Sequence, residues 1–579
     1  MINLKINNNP VTVREGSTIL EAAQKLGLKI PTLCHIKLDC FHVEHRSGSC
    51  RICVVEVAGR PNLAPACCTP VAEGMEVLTN SLRAIKARRT ILELLLSNHP
   101  TDCLICAKNR ECRLQELAHE FNIDRVKFQG MQSKFDVDCA NPAICRDLNK
   151  CILCRRCETA CNVIQTVGVL SGVNRGFNVA VAPENFKPLS ETACVFCGQC
   201  AQACPVGALT EIGYREDIWK ALDDPKKTVI VQTAPAVRVA IGEEFGMEPG
   251  SISTGKLVAA LRRLGFAKVF DTDWSADLTI MEEGTELMKR LETGENLPIL
   301  TSCCPGWVNF MEYQFPDLLN LPSTAKSPQQ MFGAIAKSYY AEKLGIDPAD
   351  LIVVSVMPCL AKKYEAGREE FSNNGVPDVD YVLSTRELGA MIKEAGILFE
   401  LLPDENYDSP LGESTGAAVI FGASGGVLEA ALRTIAAKLE GEEKATIEFC
   451  AIRGLEGVKE ATVTIAGQEL KAAVVSGLGN ARKLLEKIRR KEATYHAIEI
   501  MACPGGCING GGQPYYHGNT SILEARKDAL YRADTKLPIR KSHLNPSIVK
   551  IYEEFLGEPN SEKAHHLLHT KYCPRIIHE

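Results

Sequence analysis

The 579-residue sequence has no run of about 18 apolar residues, the length a helix needs to cross a bilayer. Its opening residues, MINLKINNNPVTV, lack the charged start and apolar core of an export signal. A membrane span is therefore not expected, and a cytoplasmic location is. Positive charge is not in excess: 65 Lys and Arg face 71 Asp and Glu, a net charge of -6 that gives no broad basic surface for a nucleic-acid backbone. A glycine-rich dinucleotide-binding turn of the form G-x-G-x-x-G after a strand is also missing. With 45% hydrophobic and 23% charged residues the composition is that of ordinary globular proteins, which excludes disordered and collagen-like classes. At about 100–200 residues per domain, the length implies three to five domains.

What the chain has in abundance is cysteine. Twenty-six cysteines would suggest a disulfide framework in a small secreted protein, but clustered C-x2-C spacings in a long chain point to metal ligation. Residues 2 to 14 alternate in a strand-like way around NNNP, and Ser17 can cap a helix carrying Ile19, Leu20, Ala23 and Leu26 inward. Cys34, Cys50, Cys53 and Cys67 follow with wide, close and wide gaps, four thiolates suited to a [2Fe-2S] cluster. This segment resembles the plant-type ferredoxin domains of the β-grasp fold, with a longer interval between Cys34 and Cys50 than those domains usually have. Cys40 and Cys68 compete for the assignments; Cys67 is preferred because Ala-Pro-Ala-Cys matches the related domains in register.

An amphipathic helix is expected over residues 81 to 97, and behind it His99, Cys103, Cys106 and Cys112 read H-x3-C-x2-C-x5-C. They resemble the [4Fe-4S] module with one histidine and three cysteine ligands found in hydrogenases and in the large respiratory NADH dehydrogenase subunit. An imidazole in place of a thiolate leaves a cluster less negative and easier to reduce. An internal repeat then matches Cys151, Cys154, Cys157 and Cys161 with Cys194, Cys197, Cys200 and Cys204, both in C-x2-C-x2-C-x3-C runs. In two-cluster ferredoxins the fourth cysteine of each run ligates the other cluster. Cys161 is accordingly assigned to Cys194, Cys197 and Cys200, and Cys204 to Cys151, Cys154 and Cys157. Asn162 stands where the second run has Pro205, which affects loop shape more than ligation. Closed zinc sites do not normally use two such runs.

From about residue 228 strands and helices alternate as in an α/β sheet: TVIVQTAP, a helix around 255 to 264, KVFDTD, another helix, and PILTSC. Three motifs carry the remaining dense cysteine chemistry: TSCCPGW at 301 to 307, MPCLAKKYE at 357 to 365 and MACPGGCINGGGQP at 501 to 514. In order, and with the ferredoxin modules upstream, they resemble the [FeFe]-hydrogenases over essentially the whole chain, above all the large subunit of multi-cluster cytoplasmic enzymes. The resemblance implies an oxygen-sensitive oxidoreductase that oxidises or produces H2. The fold class it implies is a multidomain α+β and α/β protein. A β-grasp [2Fe-2S] ferredoxin domain spans 1–80, a histidine-ligated [4Fe-4S] module 81–120, a two-cluster bacterial-ferredoxin domain 121–215 and an α/β H-cluster domain 216–514. A small-subunit-like helical tail occupies 515–579, with helices near 521 to 531 and 545 to 556, and is expected to wrap the catalytic domain.

The resemblance also implies the cofactors: one [2Fe-2S] cluster, three [4Fe-4S] clusters and an H-cluster, a [4Fe-4S] cube joined to a two-iron unit that carries CO, cyanide and a bridging dithiolate amine. Cys304, Cys359, Cys503 and Cys507 would hold the cube, bridged through Cys503 or Cys507, with motif position favouring Cys507. The glycines of P-G-G-C and G-G-G let the backbone approach a bulky cofactor. Lys362 is the implied donor to a cyanide, and Pro235, Gln329, Met357, Phe421 and Met501 the implied pocket wall; read alone, these are ordinary core residues. Ala236 stands where some relatives have a serine donor. Cys303, surplus to the cube, is the implied proton relay, since a free thiol of pKa about 8.5 can trade a proton near neutrality. Glu283, Glu286 and Ser323 fall at the family's proton-path positions with Arg290 close to the outer end, and Glu283, Glu286 and Arg290 share one face of a helix at i, i+3 and i+7. Heterolytic H2 splitting would pass its proton to Cys303. Its electrons would leave through the cube, the ferredoxin clusters, and the histidine-ligated or [2Fe-2S] cluster.

His565, His566, His569 and Cys573 in the tail are not expected to bind metal, and Cys139, Cys145 and Cys450 are expected to be free thiols. The partners implied are H2 and protons, ferredoxin, and flavin- and NAD(P)-binding subunits of an electron-bifurcating complex. A single-chain ferredoxin-linked hydrogenase is the alternative. A non-catalytic electron-transfer or scaffold protein would share the front modules but would not need all of Cys304, Cys359, Cys503 and Cys507.

Overall fold

The computed structural model describes residues 1–37, 48–442, 448–454 and 456–575. Cys40, weighed above as a cluster ligand, lies outside the described residues. At the N-terminus, strands Ile2–Ile6 and Asn9–Val13 form an antiparallel hairpin, and Ile2–Ile6 also pairs in parallel with Glu76–Leu78. Val54–Val57 and Ala64–Pro65 complete a five-stranded sheet over the helix Ile19–Lys25. Thr18, not Ser17, caps that helix: Glu21 stands three residues on, so the Thr18 side chain accepts from the Glu21 amide while the Glu21 carboxylate accepts from the Thr18 amide. Ile19, Leu20, Ala22 and Ala23 are buried beneath the sheet, whereas Leu26 is only half-buried.

The helix Leu82–Ser97 begins at Ser81, whose hydroxyl accepts from Ala84 N at 3.2 Å, and Arg88 Nε donates to Val54 O at 2.9 Å, tying the helix to the first sheet. In the next segment a short antiparallel pair, Ile144–Arg146 with Leu209–Glu211, joins the two ends of the cysteine repeat. Cys139 and Cys145 are joined in a disulfide, contrary to the expectation of free thiols. The cause is local: Asp138 and Arg146 exchange backbone hydrogen bonds of 2.9 and 2.8 Å, which brings the Cα atoms of the two cysteines inside that turn to 4.4 Å.

The C-terminal half is built on two four-stranded sheets. In the first, Lys268–Asp271, Thr228–Thr233, Leu351–Met357 and Tyr381–Ser384 lie in that order, all parallel. In the second, Ile299–Leu300, Ala497–Met501 and Gln468–Ser476 run parallel and Val458–Ile465 closes the edge as a hairpin. Parallel strands buried on both faces read as continuous Val, Ile and Leu runs, as in LIVVSVM. In such sheets ligands bind beyond the carboxyl ends of the strands, and here Pro235, Cys303, Cys359 and Cys503 each lie two or three residues beyond a strand end.

The tail packs on this half. Its helix Thr520–Lys536 sends Arg526 to the Glu243 carboxylate at 2.7 Å, and Ile548, Leu567 and Leu568 join the apolar core of the first sheet. The expected second tail helix is present as Pro546–Ile551 followed by a wider turn, and a third, Glu562–Leu568, was not anticipated. No described helix is long and apolar enough to cross a membrane.

Candidate active site and electron path

Between the strand ends of the two sheets lies a small cavity of about 70 Å3, almost wholly apolar. Pro235, Cys303, Cys304, Gln329, Met357 and Cys359 line one part of it, and Lys362, Phe421, Met501 and Cys507 another. Cys503 lies beside Cys359, Cys304 and Cys507, so the four thiols assigned to the cube converge. Burial comes first in holding each of them above the ordinary thiol value, Cys359 up to about 12, and the charges of its neighbours add to that. Four thiols that resist ionising alone and stand together suit a strongly cationic centre, whose charge would stabilise all four thiolates.

The backbone fits a bulky occupant as well. Gly506, at φ +97°, has Ser424 N only 2.6 Å from where a Cβ would sit, and a Cβ on Gly510 would meet Pro358 O at 2.1 Å. Any larger residue would push these loops apart and displace Cys507 and Cys359 with them. On the cavity wall, Gln329 Oε1 is buried without a partner, while its Nε2 donates to Glu365 at 3.1 Å and Lys362 O at 3.3 Å. Lys362 Nζ donates to Glu365 Oε2 at 2.9 Å and to Cys303 O at 3.1 Å. An ammonium has three donors, so one remains for the cavity. Glu365, which also accepts from Ser327 at 3.0 Å, was missed in the sequence although it stands three residues after Lys362 in MPCLAKKYE. The Ala236 methyl lines the cavity where a serine donor would stand, and its carbonyl accepts from Gln513 at 2.9 Å.

Cys303 departs from expectation in one respect. Burial, with the charge of Glu283 next, pushes its thiol well above the ordinary value, so its proton is held more firmly than that of a free thiol. Glu283, on the helix Thr272–Thr293, is lifted to about 8 by burial and by the Glu286 charge, and its Oε2 has no partner. Ser323, fully buried, donates to Glu286 Oε2 at 2.9 Å. Arg290 donates to Glu286 Oε1 at 2.5 Å and to the carbonyls of Asn296, Leu321 and Pro322 at 2.9, 2.7 and 3.0 Å. Ser323, Glu286 and Arg290 are thus joined by hydrogen bonds, with Glu283 within reach of the Glu286 charge and Cys303 within reach of that of Glu283, and Arg290 is more deeply fixed than a surface helix charge would be.

The N-terminal thiols also gather as spaced. Cys34 makes side-chain contact with Cys50 and Cys67, and Cys53 with Cys67. Cys68 is exposed and turns to Pro65 O at 3.9 Å, away from the set. His99 Nδ1 lies 2.7 Å from Pro100 O; as the donor there, the ring leaves Nε2 bare, and that nitrogen is buried with no partner. Burial lowers the His99 pKa and keeps it the neutral imidazole that ligation requires. Cys112 lies within reach of the charges on Cys106 and Cys103. Cys161 acts on Cys194, Cys197 and Cys200, and Cys204 on Cys151, Cys154 and Cys157, so the repeat crosses over in space.

These groups abut in series. Arg156 Nε donates to Cys34 O at 3.3 Å, bringing the first set against the Cys154 and Cys157 loop. Cys106 Sγ lies 2.7 Å from where a Cβ of Gly207 would be, so the histidine module touches the loop after Cys204. Gly198 and Gly511 meet backbone to backbone, a Cβ on Gly511 falling 2.8 Å from Cys197 O, which seats the second run on the catalytic loops. Lys108, fully buried between these modules with Nζ 2.7 Å over the Tyr515 ring and its pKa lowered to about 7 by burial, has no signal in the sequence. Cys450 and Cys573 are exposed thiols apart from all of these sets.

Comparison with known proteins accounts for the chain from end to end. The family described as iron only hydrogenase large subunit, C-terminal domain, matches residues 227–511, and iron hydrogenase small subunit matches 520–575. A 2Fe-2S iron-sulfur cluster binding domain matches 1–81, the NADH-ubiquinone oxidoreductase-G iron-sulfur binding region 88–127 and a 4Fe-4S dicluster domain 150–209. The chain is 57% identical to NADP-reducing hydrogenase subunit HndD of Solidesulfovibrio fructosivorans, over 99% of each chain. It is 40% identical to iron hydrogenase 1 of Clostridium pasteurianum, over 99% of this chain and all of that one. Among solved structures, a variant of apo [FeFe]-hydrogenase HydA1 from Chlamydomonas reinhardtii matches with 43% identity and a TM-score of 0.57, covering 63% of this chain and 99% of its own. With catalytic, small-subunit and cluster-binding regions all present in one chain, the protein belongs to the iron-only, or [FeFe], hydrogenases.

Proposed function

We propose that this hydrogenase is the H2-activating subunit of a cytoplasmic NAD(P)-linked, electron-bifurcating complex, with the domain limits and residue roles given above. The observation that carries the link to a complex is the 57% identity, end to end, with a protein named as a subunit of an NADP-reducing hydrogenase. The absence of a dinucleotide-binding glycine turn supports placing flavin and NAD(P) on partner subunits, with ferredoxin as a second acceptor. The full-length likeness to iron hydrogenase 1 of Clostridium pasteurianum favours the alternative, a single-chain enzyme that delivers electrons to ferredoxin alone.

The cysteine sets and His99 would hold one [2Fe-2S] cluster and three further [4Fe-4S] clusters, and Cys304, Cys359, Cys503 and Cys507 would hold an H-cluster. When bound, the H-cluster supplies the metal chemistry that cleaves or forms H2. The chain's own contribution is to exclude water, hold the group and move protons. Pro235, Met357, Phe421 and Met501 keep the cavity dry, while the free donor of Lys362 orients what binds there. Cys303 takes the proton released in H2 oxidation as it passes its own to Glu283, and Ser323 and Glu286 lead onward, with Arg290 holding the Glu286 carboxylate at the outer end. In proton reduction the same groups work in reverse. Purifying the native protein under anaerobic conditions tests the complex. Copurification of a flavoprotein with H2-dependent NAD(P)+ reduction supports it, and a lone chain that reduces ferredoxin at full rate refutes it.

A further inference from the structure

The hydrogen bonds around Arg290 pose a difficulty for a path that ends there. A guanidinium has five N–H donors and no acceptor, and it stays protonated in proteins. Arg290 spends four of them on three carbonyls and Glu286, so a proton that leaves past it travels by solvent beside the guanidinium and not by the guanidinium itself. A proton that reaches Glu286 needs another carrier.

One is in contact. Glu286 Oε2 lies 3.1 Å from Thr324 N and 3.4 Å from Thr324 Oγ1. That hydroxyl is 2.8 Å from His569 Nδ1, and His569 Nε2 is 3.0 Å from Glu282 Oε2. Hydroxyl and imidazole are side chains that can accept a proton at one point and release one at another. The tail holds the ring in place, because Thr570 N donates to Thr324 O and Lys326 N to Leu568 O, both at 2.8 Å. Glu282, fully buried, is fixed in turn by Asn560 N at 2.8 Å and by the Tyr552 hydroxyl. On its far side His569 borders a cavity of about 210 Å3 that includes His566, Lys326, Lys337 and Asp378 and reaches the surface at the exposed Ser372 and Asn373. Its ring also lies 4.1 Å from that of the exposed His565.

We propose that Thr324 and His569 form a second exit of the proton path, leaving the line at Glu286 and opening into the cavity beside His566. The proposal rests on Glu286 being a path residue. In the outward step the Glu286 O–H bond breaks as its proton bonds to Thr324 Oγ1, whose own proton bonds to His569 Nδ1. Glu286 is left as a carboxylate beside Arg290, and the imidazolium is balanced by the Glu282 carboxylate. The imidazolium then turns its Nε2–H from Glu282 toward the cavity, that N–H bond breaks as its proton bonds to solvent water there, and the ring returns neutral with its proton on Nδ1; no electron moves. The titratable and charged groups facing the ring are Glu282 and Glu286 from the helix Thr272–Thr293, Tyr552 from the preceding tail turn, His565 and His566 from its own helix, and Lys326, Lys337 and Asp378 across the cavity.

The test uses the matured full chain, with turnover in H2 oxidation measured across pH for His569→Gln, Thr324→Val, His569→Ala and Glu286→Gln. A glutamine at 569 can keep both hydrogen bonds but cannot carry a proton, so it separates transfer from packing. A sole positioned transfer group is worth about 10²–10⁴-fold. With the route past Arg290 still open, the expected loss in H569Q and T324V is about tenfold, with an altered pH profile and unchanged iron content and melting temperature. Added imidazole is expected to restore H569A but not E286Q. Wild-type rate and pH profile in both H569Q and T324V, with E286Q impaired, would overturn the second exit while leaving the main line intact. An unimpaired E286Q would overturn the line itself and the exit with it.

Discussion

Glu283→Gln separates the proton-transfer role of this residue from its electrostatic cost to the fold. Glutamine has the same shape and no charge, but it cannot pass on a proton. If Glu283 stands between Cys303 and Ser323 as a required carrier, turnover falls by about 10²–10⁴-fold, or about 3–5 kcal/mol of barrier. Stability moves the other way. Burial lifts this carboxyl from 4.5 to about 8 in the fold. Below pH 4.5 the group is protonated in folded and unfolded chains alike and no stability is lost. As pH rises the unfolded chain ionises while the fold retains its proton, so stability is progressively lost until the folded value is passed. At about 1.4 kcal/mol per pH unit the cost reaches about 5 kcal/mol at most above pH 8. The variant should therefore match the wild type in melting temperature near pH 4 and exceed it near pH 9, while H2 oxidation with an artificial acceptor collapses at every pH. Turnover within a factor of two of wild type would refute the carrier role. A variant no more stable than wild type at pH 9 would refute the account of the buried carboxyl.

Cys303→Ser is expected to retain iron content and the infrared bands of the H-cluster yet lose most turnover, since it changes proton transfer and not ligation; unchanged turnover sinks the relay. At the other end of the chain, Cys67→Ala should abolish the [2Fe-2S] signal in electron paramagnetic resonance while Cys68→Ala, at an exposed thiol outside the set, preserves it. The reverse pattern would exchange the two assignments. Arg433→Ala removes the cation that faces Asp534 at 2.9 Å and Glu429 at 2.8 Å, all three side chains fully buried. Arg540 remains on Asp534 and Arg453 on Glu429, so neither carboxylate is stranded; losing the bonds to Arg433 should cost about 1.5–3 kcal/mol and loosen the tail helix Thr520–Lys536, seen as a lower melting temperature and earlier proteolysis there. A loss of under about 1 kcal/mol would mean that the apolar contacts alone hold the tail.

The parts of this protein that were legible in its sequence are those whose geometry is local. C-x2-C spacing allows neighbouring thiols to face one centre, and a helix period puts Glu283, Glu286 and Arg290 on one face, so these could be read before any fold was known. The strand-helix alternation after residue 228 was legible as α/β, but its division into two sheets was not, because that depends on which strands find each other across hundreds of residues. The same limit explains His569. Its partners, Thr324 and Glu282, are 245 and 287 residues away in sequence, and a histidine cluster in a tail carries no mark of what it will touch. Smaller misses were matters of local competition: Thr18 outdoes Ser17 as a cap because Glu21 stands three residues after it. Cys139 and Cys145 meet because the bridge between Asp138 and Arg146 folds the chain back at that turn. The buried state of Cys303 was likewise unreadable, since a thiol's surroundings, and not its spacing, move its proton affinity.

The central claim is that Cys304, Cys359, Cys503 and Cys507 hold an H-cluster in the cavity walled by Pro235, Phe421 and Met501. The measurement that tests it most directly is infrared spectroscopy of the anaerobically matured chain, with an iron count, before and after exposure to H2. The account predicts carbonyl and cyanide bands that shift under H2 in the wild type and are lost in Cys507→Ala. Absence of those bands in wild-type protein with verified maturation and its cubane clusters fully loaded would contradict it.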